Sequence, residues 1–139
     1  MKNIDKALIS LSNLAIPPNE KVEKGLGDLI KSNEADNIAK LTNTFLKRNH
    51  NFLLKIFKYI NNREDSYKNF VENMYKMENQ NDAKNFFEEF RVFAIKMYFS
   101  HPYVIKKLNL FESFVYDNID LMKDNEILDS LNKNNDFNR

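Results

Sequence analysis

The chain has no cysteine and no tryptophan, and only two glycines, three prolines and two histidines in 139 residues. Without cysteine there is no disulfide framework, no thiolate metal ligand and no thiol nucleophile. The shortage of glycine and proline argues against a many-stranded sandwich or barrel, which needs tight turns every few residues. An excess of charge of one sign is missing too, since 21 basic and 20 acidic side chains leave a formal charge of +1. A nucleic-acid or membrane-surface binder usually carries a basic excess, so nucleic acid fits poorly as a partner unless one face is locally basic. No run approaches the roughly 20 apolar residues of a membrane span, so a soluble chain without a membrane span is expected. Nor does the N-terminus read as a signal peptide. Asp5 interrupts the charge of Lys2 and Lys6, Ser10, Ser12 and Asn13 break the apolar stretch, and no small-x-small cleavage site follows.

What is present is apolar and aromatic. Twelve Phe and six Tyr, with a hydrophobic fraction of 42%, supply a core for one domain. The expected division is a single helical domain over 1–131 and a frayed tail over 132–139, which opens on Asn132-Lys133-Asn134-Asn135. The abundance of Asn and Lys reads as compositional bias of the source genome.

Helical spacing dominates the pattern. Ile4, Leu8, Leu11 and Ala15 mark a first helix over 4–16, stopped by Pro17-Pro18. Val22, Leu26, Leu29 and Ile30 predict a second over 22–31, where Gly25 and Gly27 mark a close approach of another element. A third, capped by Ser32 or Asn33, carries its apolar stripe from Ala35 to Ile60, enough for one helix of about 27 residues. Asn49-His50-Asn51 is its weakest point, where a kink or break fits. Asp65 or Ser66 caps the next helix, which holds Tyr67, Phe70, Val71, Met74, Tyr75 and Met77 and ends near Glu78. Asn79-Gln80-Asn81 reads as a loop and Asp82 as the cap of a central helix with Phe86, Phe87, Phe90, Phe93, Ala94, Met97 and Tyr98. Its aromatic density predicts burial on more than one side. Pro102 ends it. Beyond, 104–110 reads as a turn of helix, 111–117 as either strand or helix, and 118–131 as helix. The fold class is all-α, an irregular or orthogonal bundle of five to seven helices.

The chemistry tests return no catalytic apparatus. His50 and His101 lie far apart, and Lys47 and Tyr98 stand where a di-iron bundle needs Glu three residues before each His. His-Glu-x-x-His is absent, and the spacing of the histidines does not suit a globin haem. Gly25-Leu26-Gly27 is followed by Ile30 where a dinucleotide fingerprint wants glycine, and there is no P-loop. Glu88 and Glu89 diverge by about 100° on a helix and cannot face one substrate, so they read as a solvated edge beside Lys84 and Arg91. The cluster Arg63-Glu64-Asp65 reads as surface charge as well. Lys47, Lys55 and Lys58 share a face of the third helix, but no helix-turn-helix pattern surrounds them. No cofactor is expected in this chain.

One stretch carries a pattern beyond packing. Phe86-Phe87, Arg91, Ala94, Met97-Tyr98-Phe99-Ser100 and His101-Pro102-Tyr103, preceded by Ile16-Pro17-Pro18 and the Gly25–Ile30 segment, resemble the gluconate 2-dehydrogenase subunit 3 family. These are the small subunits of bacterial flavin-dependent sugar and polyol dehydrogenases, and the similarity runs over about residues 8–105. The resemblance implies a non-catalytic accessory subunit. It would bind, stabilise or help export a large subunit that carries FAD, with a cytochrome subunit accepting electrons. Tyr98, Phe99, His101, Pro102 and Tyr103 become the candidate partner interface, because aromatic residues at a helix end often anchor such contacts. The family's usual Gly-Gly-Asn-like turn is replaced here by Val104-Ile105-Lys106, and its twin-arginine signal is lacking. The compartment therefore stays open, periplasmic by resemblance and otherwise cytoplasmic. The alternatives are a stand-alone interaction or regulatory domain that binds a peptide or nucleic acid, and an enzyme with an unrecognised acidic site.

Overall fold

The computed structural model describes residues 2–32, 34–61 and 66–117, with side chains through 109. The expected helix over 118–131, the tail over 132–139 and the Arg63-Glu64-Asp65 cluster lie outside the described residues. Among the described residues seven helices form the bundle: α1 Asn3–Ala15, α2 Leu26–Ser32, α3 Asp36–Arg48, α4 His50–Tyr59, α5 Tyr67–Met77, α6 Gln80–Ser100 and α7 Pro102–Asp117. Among the described residues there is no strand. The protein is an all-α bundle.

The helices meet at a common core. α1 packs on α2 and α4, while α6 packs on α3, α5 and α2 and leads into α7. Phe45 stacks on Phe93 with ring centroids 4.2 Å apart, Phe52 stacks on Phe86 at 4.5 Å, and Thr42 reaches the Met97 sulfur at 3.7 Å. Between α3 and α6 the partner number falls from Met97 to Phe93 as the α3 number rises from Thr42 to Phe45, so these two helices run antiparallel. Phe90 is fully buried at the centre of these rings.

The expected long third helix is two helices. Asn49 leaves the helical region at φ −114° and ψ 22°, and its side-chain amide donates to the Phe45 carbonyl at 3.1 Å. An Asn that bonds the backbone in this way competes with the helical ladder, and the chain turns at that residue. The cap of α3 also differs from expectation. Ala35 occupies the N-cap position with no side-chain bond, in place of Ser32 or Asn33. On α6, Asn79 is the cap instead of Asp82. Its Oδ1 accepts from the Asn81 N–H at 2.9 Å and from the Asp82 N–H at 3.4 Å, so the supposed loop is the first helical turn. Ser66 caps α5 as expected, accepting from the Asn69 N–H at 3.2 Å. The segment after Pro102 is one helix, so the strand alternative for 111–117 falls away.

The second helix begins later than its apolar spacing suggests. Val22 is buried, but from a turn in which Asn19 Oδ1 accepts from the Lys21 and Val22 N–H groups at 2.9 and 2.8 Å. Only from Leu26 does α2 form. Its first-turn amides, which no helix satisfies internally, are met from α1. The Leu26 N–H donates to the Ile16 carbonyl at 2.9 Å, and the Asp28 N–H donates to Asn13 Oδ1 at 3.2 Å. Asn13 Nδ2 in turn donates to Asp28 Oδ1 at 3.2 Å, while Asp28 Oδ2 accepts from the Gly25 N–H at 2.9 Å. Close approach of α1 makes this exchange possible, as the two glycines suggest. Asn13→Ala leaves the half-buried Asp28 amide and carboxylate short of a partner, and is expected to cost about 1–2 kcal/mol in urea denaturation.

Candidate partner-docking face and the α6–α7 joint

α6 is apolar on both sides but buried on only one. Ala83, Phe86, Phe87, Phe90, Phe93, Ala94, Met97 and Tyr98 face the core. On the outer side Val92, Ile95 and Phe99 stand 52%, 46% and 58% exposed, at the i, i+3, i+7 spacing of one helix face. Isolated exposed apolar side chains are ordinary; an aligned set on the central helix calls for a covering surface.

The five candidate interface residues divide in the same way. Phe99 and Pro102 are exposed, Tyr103 is half-buried, and Tyr98 and His101 are buried. Tyr98 and Phe99 meet edge to face at 5.2 Å. The surface contribution of the corner is therefore Phe99, Pro102 and one edge of Tyr103. Along the central helix, most of the family-like pattern is core. Of the exposed stripe beside it the sequence singles out Phe99 but neither Val92 nor Ile95, because dense apolar spacing reads as burial unless the packing neighbours are known.

His101 holds the joint. Its backbone N–H donates to the Tyr98 carbonyl at 3.3 Å, its carbonyl accepts from the Ile105 N–H at 3.0 Å, and its ring Nδ1 accepts from the Tyr103 N–H at 3.1 Å. The imidazole thus caps α7 where Ser or Asn would ordinarily serve, and Pro102 fills the first helical position, where no N–H is needed. With Nδ1 accepting, the neutral ring carries its proton on Nε2. That nitrogen is buried and has no hydrogen-bond partner among the described residues. Burial pushes the His101 pKa below its ordinary value; nearby Lys24 acts in the same direction, and Glu34 opposes both.

Tyr103 ties the joint to the loop before α2. The Lys24 ammonium lies 4.7 Å from its ring centroid and that of Lys107 lies 5.5 Å away, while Lys107 also reaches Glu23 at 3.6 Å. Each contact is partly open to solvent and contributes little by itself.

The other motifs fall elsewhere. Glu89 pairs with Arg48 of α3 at 2.6 Å, and Lys55 pairs with Glu78 at 3.0 Å. The basic side of α3 and α4 is thereby partly neutralised within the protein. Open clefts of about 420 and 720 Å³ flank the α3–α4 break, and Lys47 and His50 line both. No corner residue lines either cleft. Among the described residues no group of three or more His, Asp or Glu is placed to hold a metal ion. No described helix is long and apolar enough to cross a membrane. No family model, curated protein or solved structure matches this chain.

Proposed function

We propose that the chain is a non-catalytic accessory subunit that docks onto the large subunit of an FAD-dependent sugar or polyol dehydrogenase. The outer face of α6 and the adjoining Phe99–Pro102 corner form the docking surface. The observation that carries this reading is the aligned exposure of Val92, Ile95 and Phe99 on the helix that bears the family-like pattern. Burying one such side chain fully is worth about 2 kcal/mol, so three in a row can anchor an interface. The partner's identity rests on the resemblance of Phe86-Phe87 through Tyr103 to the small-subunit family. A large subunit that carries the FAD supplies the oxidation, and this chain supplies binding and stabilisation.

Isolation from the native source tests the reading. A stoichiometric flavoprotein, recognised by its flavin absorbance, is expected to co-purify with the chain. Recovery of the chain without any flavoprotein would exclude the assignment, and turnover of a sugar by the isolated chain would contradict its non-catalytic role.

A further inference from the structure

We propose that His101 is an acid-sensitive latch, whose protonation releases α7 from the α6 end of the bundle while the rest of the core stays folded. Four features of the joint carry the inference. The ring is completely buried. Its Nδ1 serves as the acceptor for the Tyr103 N–H that opens α7. Among the described residues its Nε2 has no partner that could share a second proton's charge. Finally, the joint is short, since a single residue separates α6 from α7.

Protonation adds a hydrogen to Nδ1, the only unprotonated ring nitrogen. Both nitrogens are then donors, and Nδ1–H faces the Tyr103 N–H. The cap becomes a donor–donor clash, and a positive charge is left in a dry site. Charged and titratable groups around the joint come from every packed element: Lys24 and Glu23 before α2, Glu34 before α3, Tyr98 on α6, and Tyr103 and Lys107 on α7. Lys24 repels the imidazolium and Glu34 attracts it, while burial acts against it most strongly. Rotation of His101 into water relieves the donor–donor clash, the burial and the Lys24 repulsion, at the expense of the Glu34 attraction and of the contacts of Tyr103 and Val104. Those residues open α7, so the helix is freed at its root.

The direction of the pH effect follows from the lowered folded-state value. Above the ordinary histidine range the ring is neutral in both closed and open states, and the latch is at full strength. As pH falls below about 6.5, the open state binds the proton first. The closed-to-open ratio then drops by up to tenfold per pH unit until the closed state is protonated as well.

Amide hydrogen exchange on the full chain, corrected for intrinsic rates, reads the latch directly. Between about pH 7 and pH 5 the amides of Tyr103 to Leu108 are expected to lose protection, while those of Phe86 to Met97 keep theirs. Equal protection of both segments across that range would overturn the proposal, as would their loss in step. His101→Asn places an amide oxygen where Nδ1 stands, so it retains an acceptor for Tyr103 and cannot titrate. In that variant the pH dependence of α7 is expected to vanish; its persistence would assign the effect to other groups. Should that substitution unfold the chain, the ring-nitrogen resonances of the wild-type protein decide. They are expected to show the Nε2–H form while α7 is protected and to become imidazolium only as protection is lost. Protonation with α7 still closed would exclude the latch.

Discussion

Phe90→Ala is expected to lower the folding free energy by about 4 kcal/mol, as emptying a closely packed aromatic site does. The ring is fully buried, and four others surround it with centroids 6.1, 6.1, 6.2 and 6.3 Å away, those of Phe45, Phe86, Tyr67 and Phe93. They come from α3, α5 and α6, so no single side chain can swing in to fill the space. A loss of that size removes a large part of the 5–15 kcal/mol that holds an ordinary domain together. Urea denaturation should show the midpoint falling with little change in slope. A cost under about 1 kcal/mol would mean that the core is not centred on this ring.

The second large effect is at Gly27. A Cβ there would overlap the Ile9 carbonyl oxygen of α1 and would stand 2.7 Å from Asn13 Cγ. The nearest obstacle is backbone, so relief requires the whole of α1 to move. That movement would also part Asn13 from Asp28, which together satisfy the first turn of α2. Alanine gains about 1 kcal/mol in helix propensity. Overpacking against a fixed backbone costs on the order of 3 kcal/mol, the upper end of its usual range. Gly27→Ala is therefore expected to destabilise by roughly 2 kcal/mol, whereas an exposed helical glycine would gain from the same change. Equal or greater stability in the variant would show that α1 and α2 do not meet this closely.

These two residues also mark how far the sequence could be read. Phe90 lies on an unbroken i, i+3, i+4 stripe, and such a stripe is buried in almost any helical bundle. Gly27 was legible for a different reason: a glycine inside a helix needs a neighbour that leaves no room for a side chain. Features that depend on distant packing were not legible. Val22 keeps helical spacing with Leu26 but is buried from a turn made by Asn19. Asp82 is a good capping residue, yet Asn79 three residues earlier makes the bonds. Both residue types cap well, and only the actual start of α6 separates them.

The candidate site shows the same division. The Tyr98–Tyr103 corner could be located, because a proline after an aromatic helix end is visible as text. Which of its side chains turn outward could not, since that depends on where α3 and the loop before α2 come to rest. In the sequence His101 reads only as one member of the candidate interface. Its role as the cap of α7 arises only once burial denies the ring any other acceptor task. Val92, Ile95 and Phe99 have the spacing of a core face, and only the absence of a described neighbour over them makes them a surface.

That surface gives the most direct measurement. Val92→Lys with Phe99→Asp charges the outer face of α6 without replacing a buried residue; beyond the edge contact of Phe99 with Tyr98 it removes nothing from the core, and it should change the stability of the isolated chain by about 1 kcal/mol or less. Expressed in the native source in place of the wild-type chain, the double variant should be recovered folded but without its flavoprotein. A folded variant that still brings down the flavoprotein at the wild-type ratio would contradict the docking of this face.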